Sequence, residues 1–290
     1  MAVTADTRCL LCQLERNIAT ARNLGTEEQA TAFARDLMKM LADAPAGVPA
    51  PFFTPGVAVL FDKHYGLGLD RYAQEKRDSN AFVLERMDLL REKVFGAPDP
   101  VKAGLQFAIL GNYIDFAALR DAVSFEKLDQ MLESALDMEL DKKNYVNFRE
   151  ELERGGKLLY LTDNAGEIGF DRIFAEAIRE KYPRVDITFC VRGGPAANDA
   201  TREDAAAVGV PFKIIDNGNL IPGTYLPELG AEAKAAMESA DVILSKGQGN
   251  VETLLGCGYN IYYAFLIKCP IFVDRFGKEK LTPMLVKERS

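Results

Sequence analysis

The stretch GGKLLYLTDNAGEIGF, residues 155–170, decides the fold, because a short apolar run gives way there to a helical pattern. Within it KLLYLTD, residues 157–163, has the length and apolar character of a buried strand, and helical periodicity follows near residues 168–181. Further strands are predicted in VDITFCV, FKIID, DVILSKG, IYYAFLI and IFVD, and further helices near residues 202–208 and 231–239. Each strand is too continuously apolar to have a face in water. We therefore predict an α/β fold with a mostly parallel sheet and helices on both of its faces.

The N-terminal half has a different pattern. From Cys9 to about Glu153, apolar residues recur at intervals of three and four, as in EEQATAFARDLMKMLADA, which predicts helices almost throughout. The chain is therefore predicted to divide into a helical part, residues 1–154, and an α/β part, residues 155–290. One interruption is APAGVPAPFFTPG, residues 44–56, whose four prolines predict a long exposed or active-site loop.

The composition limits the classes of function. With 35 Lys and Arg against 43 Asp and Glu, the formal net charge of -8 disfavours nucleic-acid binding, which needs a basic surface. No segment has the length of a membrane span or the pattern of a signal peptide, so we predict a cytoplasmic protein with no membrane partner. The single histidine, His64, excludes sites that need several imidazoles, and His64 itself is assigned to the surface or to packing.

Polar residues follow the predicted strands at their carboxyl ends, where ligands bind in such sheets. Carboxylate and amide oxygens are ligands that Mg²⁺, Mn²⁺ and similar ions prefer, so Asp163, Asn164 and Asp199 are predicted to hold one divalent cation. An Asp-Asn pair after a strand is also a common helix N-cap or turn, but the matching pair Asn198–Asp199 at the next strand end favours the cation. The candidate substrate-binding residues at these ends are Arg192, Gly193, Asn198, Lys246, Gly247, Gly249 and Asn250.

Lys246 and the glycines after it predict a phosphate-binding loop, because backbone N–H groups can approach a phosphate closely where no Cβ intervenes. By itself KGQGN, residues 246–250, is also typical of a flexible turn with a solvated lysine. We assign catalysis to Asp163, Glu167 and Lys246. Glu167 is the candidate that activates water, unless the cation does so, because no histidine is near in sequence.

Two further motifs lie in the helical half. Asn112 and Asp115 are three residues apart and share one helical face, so they are predicted either to line the cleft opposite the strand ends, as further substrate-binding residues, or to bond to the next helix. Cys9 and Cys12 form CLLC without a second cysteine pair, which favours a buried helix face over a redox or metal-binding role.

Five motifs together resemble the damage-control phosphatase family, in particular its prokaryotic branch. They are DNAGEIGFDR, RGGPAANDAT and SKGQGNVET, with CLLCQ and AILGNYIDF in the helical half. The resemblance covers nearly the whole chain. It implies a Rossmann-like α/β domain with an all-helical N-terminal part, and one divalent ion (Mn, Co, Ni or Mg) held by Asp163, Asn164 and Asp199. It further implies that Lys246 contacts phosphate and that the substrates are small phosphorylated metabolites.

The sequence thus predicts metal-dependent hydrolysis of phosphate monoesters of small metabolites, such as sugar phosphates or damaged phosphometabolites. One alternative is a carboxyl methyltransferase that uses S-adenosylmethionine. It is disfavoured because the second strand ends in Arg192-Gly193-Gly194 rather than in an acidic residue. Another alternative is a noncatalytic protein that binds a metal or a sugar phosphate. The oligomeric state is not predicted.

Overall fold

The computed structural model describes residues 3–114 and 124–288. The N-terminal half is helical, as its periodicity predicts. Its helices are α1 (Thr7–Leu24), α2 (Glu27–Asp43), α3 (Thr54–Tyr65), α4 (Ala73–Glu85), α5 (Met87–Phe95), α6 (Pro100–Gly111), α7 (Phe125–Glu133) and α8 (Lys142–Arg154), with short 3-10 helices at Ala50–Phe53 and Ala135–Asp137. No helix in the described ranges is long and apolar enough to cross a membrane.

The C-terminal half alternates strands and helices. The strands are β1 (Gly156–Leu161), β2 (Val185–Val191), β3 (Lys213–Asp216), β4 (Val242–Lys246), β5 (Ile261–Leu266) and β6 (Pro283–Lys287). The helices are α9 (Glu167–Lys181), α10 (Arg202–Ala207), α11 (Ala231–Ser239), α12 (Gln248–Leu254) and α13 (Pro270–Phe276), with a 3-10 helix at Leu226–Glu228. This architecture confirms the predicted α/β fold.

The six strands form one sheet in the order β3-β2-β1-β4-β5-β6. The strands β1 to β5 are parallel, and β6 pairs antiparallel with β5. From β1 the chain moves outward to β2 and β3, and it then returns to β4 on the other side of β1. In sheets of this type ligands bind where the strand order reverses, outside the carboxyl ends of the strands. Here that position lies between the ends of β1 and β4.

Helix α6 brings the helical half to this position. Asp99 caps the helix by accepting the Lys102 N–H group, and Pro100 occupies the first helical position, where its missing N–H has no intrahelical partner to lose. Every residue of α6 from Val101 to Gly111 is buried except Lys102, and the helix packs along α9. Because α6 ends at Gly111, Asn112 follows at the edge of the sheet.

The two halves share a hydrophobic core. One cluster of buried apolar residues includes Phe107 and Phe148 from the helical half with Leu158 and Tyr160 from β1. Phe148 also contacts the ring of Tyr262 in β5, with the ring centroids 5.1 Å apart. The division of the chain between residues 154 and 155 therefore stays a prediction from sequence pattern, and the packing is continuous across it.

Two local predictions are wrong. IFVD, residues 271–274, is predicted as a strand but lies in helix α13, where Pro270 occupies the first turn and Cys269 before it is extended, as the residue before a proline prefers. The predicted loop at residues 44–56 contains the 3-10 helix Ala50–Phe53 and the start of α3, because proline is compatible with the first turn of a helix. The last strand of the sheet is β6, which the sequence pattern does not predict.

Candidate active site at the strand switch point

The carboxyl ends of β1 and β2 bring the predicted cation ligands together. Asn164 pairs with Asp199 in an isolated antiparallel bridge, and the Ala200 N–H group donates to the Asp163 carbonyl oxygen over 2.7 Å. The three predicted ligands are buried, with 5% of Asp163, 1% of Asn164 and 4% of Asp199 exposed. They meet because neighbouring parallel strands end at the same edge of the sheet.

Two asparagine amides join the carboxylates of Asp163 and Glu167. Asn112 Nδ2 donates to Asp163 Oδ2 over 2.8 Å and to Glu167 Oε2 over 2.9 Å. Asn164 Nδ2 donates to the same two oxygens over 2.8 and 2.7 Å. Asn112 Oδ1 accepts the Leu266 N–H group of β5 over 3.1 Å. Asn112 therefore holds the ends of two strands together, beside the predicted cation ligand Asp163.

Arg192 follows β2 and pairs with Asp199. Its Nε atom donates to Asp199 Oδ2 over 2.6 Å, and its Nη2 atom donates to the Thr162 carbonyl oxygen over 2.8 Å. Arg192 Nη1 is buried and has no hydrogen-bond partner among the described residues. Asn198 Oδ1 is likewise buried without a hydrogen-bond partner among the described residues. The nitrogen of the same amide, Asn198 Nδ2, donates to Asn164 Oδ1 over 2.8 Å. An unpaired buried donor and acceptor at one site indicate a polar ligand or water.

Lys246, at the end of β4, lies beneath this site and is fully buried. Its Nζ atom donates to Glu167 Oε1 and to Asp171 Oδ1, each over 2.7 Å, and to the Ala108 carbonyl oxygen over 2.8 Å. An ammonium group has three protons, so these acceptors occupy all of them. The Tyr160 hydroxyl also donates to Asp171 Oδ1, over 2.8 Å.

Burial and charge shift the pKa values in this cluster. Burial raises the pKa of the Asp171 carboxyl to about 7, although the positive charge of Lys246 opposes the shift. For Lys246, burial alone would lower the pKa, but the negative charges of Asp171 and Glu167 outweigh it and raise the pKa above its ordinary value. Burial, followed by the charge of Asp171, raises the pKa of Tyr160 well above its ordinary value. Lys246 is therefore a permanent cation at neutral pH.

The loop after β4 passes directly over Asp163. Gly247 has φ 76° and ψ 159°, and a Cβ atom on Gly247 would lie 1.9 Å from Asp163 Oδ2. The Gly247 N–H group donates to the Ala264 carbonyl oxygen over 3.1 Å. Gly249 lies in the first turn of α12, where an added Cβ would have no neighbour closer than 3.6 Å. Glycine at position 247 thus makes room for the carboxylate below it.

Asn250 fixes the same loop from inside. Its Nδ2 atom donates to the carbonyl oxygens of Thr162 and Lys246 over 2.9 and 2.7 Å, and its Oδ1 atom accepts the Thr224 hydroxyl over 2.7 Å. Asn250 is fully buried. It therefore ties the end of β1 to the end of β4.

Several predicted substrate contacts are occupied by protein groups in this structure. Both oxygens of Glu167, the ammonium of Lys246 and the amides of Asn112 and Asn250 are hydrogen-bonded within the chain. Their direct contact with a substrate stays a prediction. Asp115 lies outside the described residues.

The remaining motif residues show mixed outcomes. Cys9 is half-buried on α1, but Cys12 is exposed, so the predicted buried helix face does not extend to Cys12. His64 packs its ring against Phe33 and lies 2.8 Å from the Asp36 carboxylate, which confirms the packing role.

A cavity of about 380 Å³ opens beside Arg192. The glycines after β2 form part of its wall, so Gly193 faces a space that a small molecule could enter. The cavity lining has no aromatic ring, and most of its other residues are charged. The charged residues of the lining are Asp70, Lys76, Arg77, Arg192, Arg202, Glu203, Asp204 and Asp216.

Asp171 and Tyr160 are site residues that the sequence-based assignment omits. Asp171 lies four residues after Glu167, so both carboxylates face the same side of α9. Two acidic residues at this spacing in a helix that is otherwise buried are a signal that a cation, here Lys246, must lie between them. Tyr160 gives no comparable signal, because an apolar strand readily accommodates a tyrosine.

The fold and the site together define a class of protein. It is a doubly wound α/β protein with buried carboxylates and amides at the switch point of its sheet, an arrangement suited to a small oxygen-liganded ion and an anionic ligand. The chain matches the damage-control phosphatase ARMT1-like domain over residues 5–282. It belongs to that family.

Relatives of the chain are archaeal, which agrees with the prokaryotic branch. A damage-control phosphatase from Archaeoglobus fulgidus is 36% identical over 188 residues, 64% of each chain. One from Pyrococcus horikoshii is 33% identical over 204 residues, 69% of each chain. An uncharacterized protein from Methanocaldococcus jannaschii is 31% identical over 298 residues, which cover 99% of this chain and 96% of the relative.

A solved structure has the same fold. The crystal structure of a DUF89 family protein from Pyrococcus horikoshii superposes with a TM-score of 0.83 at 27% identity and covers 99% of both chains. The family match and the named relatives support a phosphatase role for this chain in general.

Proposed function

We propose that the protein hydrolyses phosphate monoesters of small metabolites with the help of one divalent cation. The observation that carries this proposal is the meeting of Asp163, Asn164 and Asp199 at the switch point, beside the unpaired Nη1 atom of Arg192. This pairing of oxygen ligands with a guanidinium donor suits a cation and a phosphate bound next to each other.

The residues present fit such a cation. The described chain has no group of three or more His, Cys, Asp or Glu side chains arranged to hold a metal ion. The proposed ligand set is of another kind, two carboxylates with amide oxygens, which suits Mg, Mn, Co or Ni better than zinc. The buried oxygen of Asn198 without a partner adds one more possible ligand.

The balance of buried charge favours a cation as well. Four carboxylates are buried around the site, those of Asp163, Glu167, Asp171 and Asp199, against the two cations Lys246 and Arg192. Even with Asp171 protonated, carboxylates outnumber cations by three to two. A buried excess of negative charge costs free energy unless a positive ion neutralises it.

The protein groups would divide the work of hydrolysis among them. Arg192, held by Asp199 and the Thr162 carbonyl, would donate from Nη1 to a phosphate oxygen, and the rigid guanidinium fork would fix the orientation of that oxygen. A bound divalent ion would draw charge from the phosphate and offset the charge that develops during displacement. Gly247 would keep the Asp163 carboxylate accessible by leaving no side chain above it.

The cavity next to Arg192 would take the part of the metabolite that leaves with the ester oxygen. Its walls carry both positive and negative side chains and contain no aromatic ring, which suits a polar group such as a sugar. We therefore propose a small phosphorylated metabolite as substrate and no nucleic-acid partner.

The test of this function is the variant Asp163→Ala, assayed for phosphate release. We expect the loss of Asp163 to abolish hydrolysis while circular dichroism shows an unchanged fold. Asp186→Ala is the matched control, because Asp186 is exposed in β2. Full activity in Asp163→Ala would refute the assignment of the site.

The substrate and the metal are tested together. A panel of phosphorylated metabolites assayed with added Mn²⁺, Co²⁺, Ni²⁺ and Mg²⁺ should show turnover that depends on the ion. Absence of turnover with every ion would favour a noncatalytic binding protein, and calorimetric binding of S-adenosylmethionine would favour the methyltransferase alternative.

A further inference from the structure

The orientation of the Asn164 amide decides whether it can hold a cation, because only its oxygen is a ligand. An asparagine amide has two donor protons on one side and an acceptor oxygen on the other. Both protons of Asn164 Nδ2 are taken, one by Asp163 Oδ2 and one by Glu167 Oε2. Asn164 Oδ1 consequently faces the opposite direction, toward Asn198, next to Asp199.

Glu167 is one of the groups that fix this orientation. Asp163 Oδ2 accepts the other amide proton, and Asn198 Nδ2 donates to Asn164 Oδ1. Both oxygens of Glu167 accept hydrogen bonds, Oε1 from Lys246 and Oε2 from the two asparagine amides. A carboxylate has no donor proton, so it accepts the nitrogen end of the amide and rejects the oxygen end. Lys246 is in turn held between Glu167 and Asp171. This arrangement places a buried cation directly against the Glu167 carboxylate.

We propose that Glu167 and Lys246 are positioning residues, which turn the Asn164 amide so that its oxygen faces the cation site. The inference rests on the proposed function, because it needs a cation at Asp163, Asn164 and Asp199. It assigns roles that differ from the sequence-based ones, in which Glu167 activates water and Lys246 contacts the phosphate. In this structure all three protons of Lys246 and both oxygens of Glu167 are engaged in hydrogen bonds within the chain.

The variant Glu167→Gln tests the orientation directly. Lys246 would require the oxygen of the new amide, so the nitrogen of that amide would face Asn164 and Asn112. Two donors then oppose each other. Turning the Asn164 amide would set its oxygen against Asp163 Oδ2 and its nitrogen against the Asn198 amide, so the Asn164 side chain is displaced from the cation site instead. We expect the affinity for Mn²⁺, measured by calorimetry without substrate, to fall by at least about tenfold.

The double variant Glu167→Gln with Lys246→Met supplies the matched rescue. Without the ammonium, no donor requires the oxygen of the new amide, so that oxygen can accept from the two asparagines as the carboxylate does. We expect the Mn²⁺ affinity to return to within about threefold of the wild type, because the Asn164 side chain regains its place.

The outcomes separate this inference from the proposed function. Absence of Mn²⁺ binding to the wild-type protein overturns both. Binding to the wild type and equal binding to Glu167→Gln overturn the inference alone. Weak binding in both variants, each with a folded circular dichroism spectrum, shows that the Glu167 carboxylate is itself required for the affinity and also overturns the inference. If Glu167→Gln does not fold, the double variant decides alone, since a direct need for the carboxylate predicts weak binding and positioning predicts recovery.

Discussion

Substituting Gly247 by alanine should disable the site without a change in any charged residue. A Cβ atom at position 247 would lie 1.9 Å from Oδ2 and 2.0 Å from Cγ of Asp163, whereas real Cβ atoms essentially never come within 3.0 Å of such neighbours. Either the carboxylate or the loop must move by about 1 Å, a displacement that in an active site can cost about 100-fold in rate. We expect kcat/KM for Gly247→Ala to fall by at least that factor, or about 2.7 kcal/mol of transition-state stabilisation.

The backbone adds to this effect. With φ 76° and ψ 159°, Gly247 occupies a region that is essentially restricted to glycine, and other residues there lose about 1–3 kcal/mol. The loop would relieve that strain by moving, and it would then move the end of β4 with it. The melting temperature of Gly247→Ala should therefore fall as well, and activity must be compared at a temperature where both proteins are folded.

Gly258→Ala is the matched control for the assay. Gly258 also has a positive φ, 86°, so alanine there carries backbone strain too, but an added Cβ at position 258 would have no neighbour within 4 Å. The assay is Mn²⁺-dependent release of phosphate from p-nitrophenyl phosphate, with calorimetric Mn²⁺ binding as a second measurement. Equal activity in the two variants, within about threefold, would show that the space above Asp163 does not matter and would refute this reasoning.

The remaining predictions concern the groups around this carboxylate. Burial raises the pKa of Asp171 from its ordinary value to about 7, so the folded protein binds that proton more tightly than the unfolded chain, and its contribution to stability falls as the pH rises from about 4 to 7. The wild type should therefore lose stability relative to Asp171→Asn as the pH rises, so the melting temperature of the variant minus that of the wild type should increase between pH 5 and pH 8. A constant or decreasing difference would contradict the raised pKa of Asp171. Arg192→Lys should lower kcat/KM by at least about tenfold, because one ammonium cannot bond Asp199 and the Thr162 carbonyl as the guanidinium fork does. Arg184→Lys at an exposed position is its control, and equal rates for both variants would refute a role for the fork.

The sequence predicts the meeting of Asp163 and Asp199 for a physical reason. Both follow apolar strands in an alternating pattern, and the carboxyl ends of parallel strands share one edge. That argument needs no side-chain detail, which explains why it agrees with the structure. The strand order is a different matter, because nothing in the separate strands shows that β4 lies beside β1 and places Lys246 under Glu167.

The side-chain partners are predicted less well than the positions. A lysine after an apolar strand is typical of a solvated charge or a phosphate ligand, yet Lys246 is completely buried between two carboxylates of α9. Of these two carboxylates the sequence pattern singles out Glu167, and it points to Asp171 only through its spacing from Glu167. The apolar run IFVD shows the same limit in the fold, since a short buried segment is compatible with a helix or a strand until its neighbours are known.

Asn112 shows why the helical half belongs to the site rather than beside it. The carboxylates of Asp163 and Glu167 approach the same two amides, and two negative charges so close in a buried place need donors between them. Asn164 supplies two of the four hydrogen bonds, and the other two come from Asn112 at the end of α6. Without the helical half, the carboxylates of Asp163 and Glu167 would lose the Asn112 amide that lies between them. The site is therefore built from residues of both predicted parts of the chain.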